Sequence, residues 1–417
     1  MATPRSIRYL NEIRALNALL RAGGMSRADL ARHLGMNRSS IGFIVEDLLA
    51  DGLARERAAT PGPGAARRSG RPGIVVELDP DGAAFLGVEI GVDHLTVVAV
   101  DLSARERVRR TVAYPTRDRP AAAGLARAAA LVEEAVGGLR LPRTRLRGVC
   151  VAVPALVRDG VVRNALMLGW RNVPVQALLR RRLGVVPIRV ENDANAFAFG
   201  ETYAGAAARA DTVAFLLVEN GAGGGVVIGG QLHRGASGFA GEFGQLPVAG
   251  ADGRGHLERH IGKDAVLARY RAHGAPRSAD LPHLLAALRA REPAALRTAR
   301  EWGDHLARGL VAITDVLAPG RIVLGGSVAP LFPHVADRVE AAMRGELLEG
   351  LPVPRVEVSR LGPEGAAFGG ACLLHQSLFA VDEGRVHARE RPAGGRGRAR
   401  LRAVRARRPP PKKEPER

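Results

Sequence analysis

Phe85-Leu86-Gly87-Val88-Glu89-Ile90 runs into the short turn Gly91-Val92-Asp93-His94 and then into Leu95-Thr96-Val97-Val98-Ala99-Val100-Asp101. Two apolar runs around a brief polar break read as a β-hairpin. The pattern returns further along, where residues 213–218 and 226–228 flank Asn220-Gly221-Ala222-Gly223-Gly224-Gly225. Each copy is followed by further strand and helix patterns. Two hairpin-led α/β units in one chain predict two related lobes, with a ligand cleft between them.

Upstream of the first hairpin the periodicity changes from two to 3.6. Ile7, Leu10, Ile13, Leu16, Leu19 and Leu20 mark an amphipathic helix that Gly23-Gly24 stops. Ser26 with Asp29 three residues later caps a second helix carrying Leu30 and Leu34 and ending at Gly35. Asn37 or Ser39 caps a third, whose inner face is Ile41, Ile44, Val45, Leu48 and Leu49. Helix, short glycine turn, helix is the helix-turn-helix layout, and its second helix belongs in a DNA major groove. Asn37, Arg38, Ser39, Ser40 and Phe43 are the residues it would present. Arg and Asn suit base edges, and Ser suits phosphates or bases. Arg55 and Arg57, a Pro/Gly stretch, Arg67-Arg68-Ser69-Gly70-Arg71-Pro72-Gly73 and the alternating Ile74-Val75-Val76-Glu77-Leu78 then predict two strands around a basic wing. Arg68 and Arg71 in that extended segment suit a narrow minor groove. A three-helix interaction module with a charged linker is the structural alternative.

Charge supports the DNA-binding reading. The 417 residues carry a net charge of +19, with +6 in residues 1–73 and +8 in residues 381–417. A basic end attracts polyanions through counterion release, although an Arg-rich, Lys-poor composition also inflates the count. The Arg/Gly/Ala/Pro-rich tail reads as disordered. Two cysteines far apart exclude a disulfide-stapled domain or a multi-cysteine zinc site. No apolar run approaches the ~18 residues of a membrane span. The expectation is a soluble, cytoplasmic protein without membrane partners.

Several segments together resemble the ROK family (repressors, open reading frames and sugar kinases), and closely its repressor branch. They are the helix-turn-helix of residues 26–53, Gly70-Arg71-Pro72-Gly73, Leu168-Gly169-Trp170-Arg171-Asn172-Val173-Pro174, Glu191-Asn192-Asp193-Ala194-Asn195, Arg234-Gly235-Ala236-Ser237-Gly238-Phe239-Ala240-Gly241-Glu242-Phe243-Gly244 and Ile322-Val323-Leu324-Gly325-Gly326. The resemblance spans roughly residues 5–380. It implies an α/β, actin-like, hexokinase-type two-lobed body behind a winged helix-turn-helix domain, a sugar in the cleft, and a homodimer or homotetramer. The expected organisation is a DNA-binding domain over 1–73, a first lobe over 74–190 completed by about 361–380, a second lobe over 191–360, and the tail.

The resemblance also implies a site. Asp193 matches the base that takes the sugar hydroxyl proton in family kinases, a carboxylate within reach of that hydroxyl. Asn192 would bond a neighbouring hydroxyl, unless both serve as caps of the next helix. Glu242 and Glu258 match two sugar-contacting acids, and carboxylates suit paired hydroxyls. The family histidine that meets sugar and ligates zinc is Gln245 here, and the zinc cysteines fall at Ala249, Ala251 and His256. No metal and no cofactor are therefore expected. A sugar-facing Asn is replaced by Met167, with Asn164 three residues before it. The first phosphate hairpin reads Glu89-Ile90-Gly91-Val92-Asp93, placing an acid where kinases carry a hydroxyl. The second, residues 221–225, keeps glycines able to approach phosphate or simply to turn a hairpin. Three readings follow: a sugar-responsive repressor binding a double-stranded operator, without enzyme activity; a sugar kinase with an accessory DNA-binding segment; and a DNA-binding protein whose body is a ligand-free scaffold.

Overall fold

The computed structural model describes residues 4–58, 73–184, 186–204, 212–236, 238–248 and 255–381. It opens with three helices, α1 (Pro4–Ala22), α2 (Arg27–Leu34) and α3 (Arg38–Ala50). The turn after α1 uses Gly23 and Gly24 at φ 70° and 137°, values that favour glycine. Ser26 caps α2 by accepting the Asp29 N–H, and Gly35 ends it in the left-handed conformation. Of the two candidate caps of α3, Asn37 serves: its side chain accepts the Ser40 N–H at 2.8 Å. Ile41, Ile44, Val45 and Leu48 turn inward against Tyr9, Ile13, Leu16 and Leu30. Strands β1 (Ala54–Ala58) and β2 (Ile74–Leu78) pair antiparallel, from Ala54 opposite Leu78 to Ala58 opposite Ile74. The intervening tip, with Arg68 and Arg71, lies outside the described residues, as does the tail from 382 onward.

The body follows as β3 (Ala84–Ile90), β4 (His94–Asp101), β5 (Glu106–Ala113), α4 (Ala121–Leu139), β6 (Leu146–Val153), β7 (Leu156–Arg158), β8 (Val161–Ala165), β9 (Trp170–Val173), α5 (Val175–Leu183), β10 (Ile188–Asn192) and α6 (Asp193–Ala204). After these come β11 (Thr212–Val218), β12 (Ala222–Ile228), β13 (Gln231–His233), α7 (Glu258–Ile261), α8 (Lys263–Ala272), α9 (Leu281–Arg289), α10 (Pro293–Leu317), β14 (Arg321–Gly325), α11 (Ala336–Glu346), β15 (Arg355–Val358) and α12 (Gly365–Phe379).

Two five-stranded sheets carry the same topology. One is ordered β5-β4-β3-β6-β10 and the other β13-β12-β11-β14-β15. In each, an antiparallel three-strand meander is extended by two parallel strands on the far side of its first strand. Those first strands, β3 and β11, are central and covered on both faces, which is why they read as unbroken apolar runs. A small antiparallel sheet, β7-β8-β9, is inserted after β6.

The second hairpin differs from its sequence reading. Gly223, Gly224 and Gly225 lie inside β12, opposite Leu217, Leu216 and Phe215, rather than in a loop. Packing on both faces demands them: a Cβ on Gly225 would sit 2.6 Å from the Ala198 methyl of α6 and one on Gly223 3.2 Å from Ala194, while one on Gly224 would sit 2.2 Å from the Phe243 ring.

Helices α6 and α12 fill the space between the sheets and cross almost backbone to backbone. A Cβ on Gly369 would lie 1.7 Å from the Ala196 carbonyl oxygen, and one on Gly87 of β3 would lie 1.7 Å from that of Ala367. Gly369→Ala is therefore expected to lower the unfolding free energy by about 1–3 kcal/mol or more. Gly345→Ala, on α11 with open space at its Cβ, should be neutral or slightly stabilising. Urea denaturation of both variants checks the pair, and equal midpoints would contradict the packing account.

Candidate functional site

The carboxyl ends of β3, β6, β10 and β11 converge on a cavity of about 210 Å³, at the point in each sheet where strand order reverses. Ligands of open α/β sheets bind at such switch points. Glu89, Asn192, Asp193, Glu219, Glu242 and Glu258 line it with Gln245, and the β8–β9 segment adds Asn164 and Met167. All five residues expected from the sequence to meet a ligand are thus brought to one cavity.

Their hydrogen bonds divide them. Asn192 is spoken for: its Oδ1 accepts the Asn195 N–H at 2.9 Å and its amide donates to the Ala155 carbonyl at 3.3 Å. It caps α6 and ties that helix to the end of β6. Gln245 is a clip, donating to Glu258 Oε1 at 3.0 Å while its own oxygen meets His256 Nδ1 at 2.9 Å. That oxygen can only accept, so the contact places a proton on His256 Nδ1. Leu257 N–H to Leu246 and Val248 N–H to Gly255 complete the loop's own ladder. Gln245 and His256 stand where the resemblance implies zinc ligands, and side chains that satisfy each other this way do not fit a zinc site. Asp193, first residue of α6, accepts backbone N–H, from Ala194 at 2.8 Å.

Three lining or flanking groups escaped the sequence reading: Glu219, His94 and Lys263. Glu219 ends the central strand of its sheet as Glu89 does in the other, so the internal repeat was the signal that could have found it. Glu219 binds the backbone N–H and the hydroxyl of Ser327, the latter at 2.6 Å. Glu89 is 3% exposed; Oε1 lies 3.4 Å from His94 Nε2, and Oε2 has no hydrogen-bond partner among the described residues. Burial opposes charge on His94, but hydrogen bonds to Asp93 and Glu89 win and push its pKa up to about 10. Asp93 is held well below the carboxylate range by His94, against the effect of burial, with Lys263 of α8 adding to the pull. Lys263 bonds Asp93 across the mouth of the cleft, at 2.5 Å.

The DNA-facing candidates cluster at the start of α3. Arg38 and Ser39 are exposed, Ser40 is partly so, and Asn37 holds the helix cap. Arg55 and Arg57 of β1 both grip Glu77 of β2, which leaves Arg38 as the basic residue of α3. The head is fastened to the body at two places. Asn17 of α1 donates to the Phe379 carbonyl at the end of α12, at 2.8 Å, and Arg145 donates to the Asp51 carbonyl at 2.7 Å.

Asp193 has a measurable consequence. Burial first, then Glu89 and Glu242, raise its pKa from 3.8 to about 7. Below 3.8 the group is protonated folded or unfolded, and it costs nothing. Between 3.8 and about 7 the unfolded chain ionises first, so stability falls with rising pH. Asp193→Asn should therefore be more stable than the parent above pH 7, by about 2–4 kcal/mol, and indistinguishable from it below pH 4. Denaturation curves across that range check the sign, and a variant less stable at pH 8 would contradict it.

A model described as the ROK family matches residues 85–377, and a MarR family model matches residues 9–66. The xylose repressor of Bacillus spizizenii is 24% identical, over 90% of this chain and 97% of its own. A crystal structure of a ROK family transcriptional regulator, described as a homologue of the Escherichia coli MLC protein, superposes with a TM-score of 0.70 at 23% identity, covering 90% of this chain and 97% of that one. A ROK family glucokinase from Streptomyces griseus, in complex with glucose and AMPPNP, gives 0.62 at 26% identity, over 70% of this chain and all of its own. The repeated sheets, the switch-point cavity and these matches agree: the chain belongs to the ROK family, and it carries a MarR-type winged-helix DNA-binding domain at its N-terminus.

Proposed function

We propose that this protein is a transcriptional repressor of carbohydrate-related genes, acting in the cytoplasm, which binds an inverted-repeat operator as a homodimer and releases it when a sugar or related polyol occupies the cleft. The observation that carries the reading is the joint presence of a capped recognition helix and a carboxylate-lined cavity in one chain. The xylose repressor's name and the glucose in the glucokinase structure support a sugar as the effector class. Asp193, Glu242 and Glu258 are the acceptors for its hydroxyls, and Glu89 Oε2 has capacity to spare. Arg38, Ser39 and Ser40 read the operator, and Arg68 and Arg71 reach its minor groove.

Phosphoryl transfer is not part of this function. Such chemistry rests on positioning and on charge complementary to phosphate. Here the first hairpin offers Glu89 and Asp93, which already engage the nearby cations His94 and Lys263, and His94 closes over Gly91 so tightly that a Cβ there would meet the imidazole at 2.4 Å. A ligand-free scaffold is the second reading, favoured by the internal engagement of Asn192 and Gln245 and by the apolar Met167.

Gel shifts on duplexes from the protein's own promoter region, with aldoses beginning at xylose and glucose, separate these readings. Arg38→Ala should lose about tenfold in specific affinity. Glu258→Ala should keep the parent affinity and lose the sugar response. A response that survives Glu258→Ala counts against the cleft, no response to any sugar favours the scaffold, and hexose-dependent ATP turnover abolished by Asp193→Asn restores the kinase.

A further inference from the structure

The exposed face of α3 runs Ser39, Phe43, Glu46, at the i, i+4, i+7 spacing of one helix stripe. Its middle member is a phenylalanine 64% exposed, while Ile41, Ile44 and Val45 beside it are buried. A lone exposed hydrophobe on an arbitrary surface needs no explanation. This one stands on the helix that faces DNA, at the last position before the charge on that helix changes sign. After the buried Ile44 and Val45 come Glu46 and Asp47, and their partners lie back in the head: Arg27 for Glu46 at 3.9 Å, and Arg8 for Asp47. Phosphates must stay clear of this acidic half, so only residues 38–43 fit the groove, and Phe43 is the residue at its inner limit.

The neighbouring residue adds an independent observation. Gly42 is a glycine in mid-helix, which costs stability relative to alanine. A Cβ at Gly42 would meet nothing within 4 Å. Packing among the described residues does not require this glycine, whereas close approach of the helix backbone to an external surface would.

We propose that Phe43 is a specificity-determining residue that reads the C5 methyl group of a thymine in the major groove, with Gly42 bringing the helix close enough for contact. The thymine methyl is the one apolar group that B-DNA base edges present in the major groove, and aromatic carbon is among the surfaces that recognise it. Arg38, Ser39 and Ser40 supply the polar contacts of the same two turns. Sequence discrimination by this helix is then partly apolar. The inference rests on the DNA-binding reading above and names what the helix reads.

The test uses the full chain and a site selected from random duplexes. Each thymine of that site is replaced in turn by deoxyuridine, which removes the methyl and keeps the pairing. The expected result is one thymine per half-site whose replacement weakens binding about three- to fivefold, the order expected for one methyl lost from an apolar contact. Phe43→Ala should bind the unmodified site with the same loss and be indifferent to deoxyuridine there, and Phe43→Leu should recover part of the discrimination. Gly42→Ala should melt at a higher temperature than the parent and bind the site more weakly. Equal sensitivity of parent and Phe43→Ala to every deoxyuridine would overturn the proposal, as would a Phe43→Ala variant altered only in self-association. Failure of the parent to select any duplex would instead overturn the DNA-binding reading itself.

Discussion

Helices α6 and α12 touch where neither carries a side chain, and the body is organised around that contact. Gly369 lies against the Ala196 carbonyl and against Gly200, while Gly87 admits α12 onto β3. A second buried link runs beside it. His375 of α12 is wholly buried, with its Nε2 2.9 Å from the Leu102 carbonyl and its Nδ1 2.6 Å from the Tyr203 hydroxyl of α6. A ring that donates to a carbonyl and accepts from a phenol is neutral, and burial lowers its pKa accordingly. The two helices are thus held together by close backbone contact and by a polar bridge that leaves no buried charge.

This pair of helices has an end in each functional region. Helix α6 begins at Asp193, in the cleft, and α12 ends at Phe379, whose carbonyl accepts from Asn17 of α1. The apolar core is continuous along the same line, from Leu16 and Leu19 through Phe379 and Phe368 to Phe197 and Phe215. The head is therefore seated on α12, which packs along α6, the helix whose first residue lines the cleft. Across the cleft mouth, Lys263 and Asp93 join α8 to the turn after β3, and Arg117 meets Asp264 at 3.4 Å. A ligand that binds two lobe arrangements with different affinity shifts the balance between them, and under the proposed function the α12–α1 contact is the route by which that difference would reach the recognition helix.

Much of this was legible in the sequence because it depends on local rules. The caps at Ser26 and Asn37, the stop at Gly35 and the inner face of α3 follow from chemistry within a few residues. The twin hairpins follow from apolar runs long enough to be central strands. What was not legible depends on distant partners. Gly223, Gly224 and Gly225 read as a loop because glycine runs usually turn, and only the proximity of α6 on one face and of Phe243 and Gly241 on the other reveals why a strand contains them. The cap that Asn192 forms on α6 was one of its two readings, whereas its bond to Ala155 and those of Gln245 to Glu258 and His256 span loops that spacing alone does not close. Lys263 has no motif around it, and its role comes from facing Asp93 across the lobes.

The central claim is that cleft and operator share one equilibrium, and linkage tests it most directly. Calorimetry would measure the affinity of the operator-releasing sugar for the free protein and for the protein on its operator, alongside the operator affinity with and without that sugar. The account predicts that the two ratios agree, because coupling between two binding sites is reciprocal. A sugar bound equally well by free and operator-bound protein would contradict it.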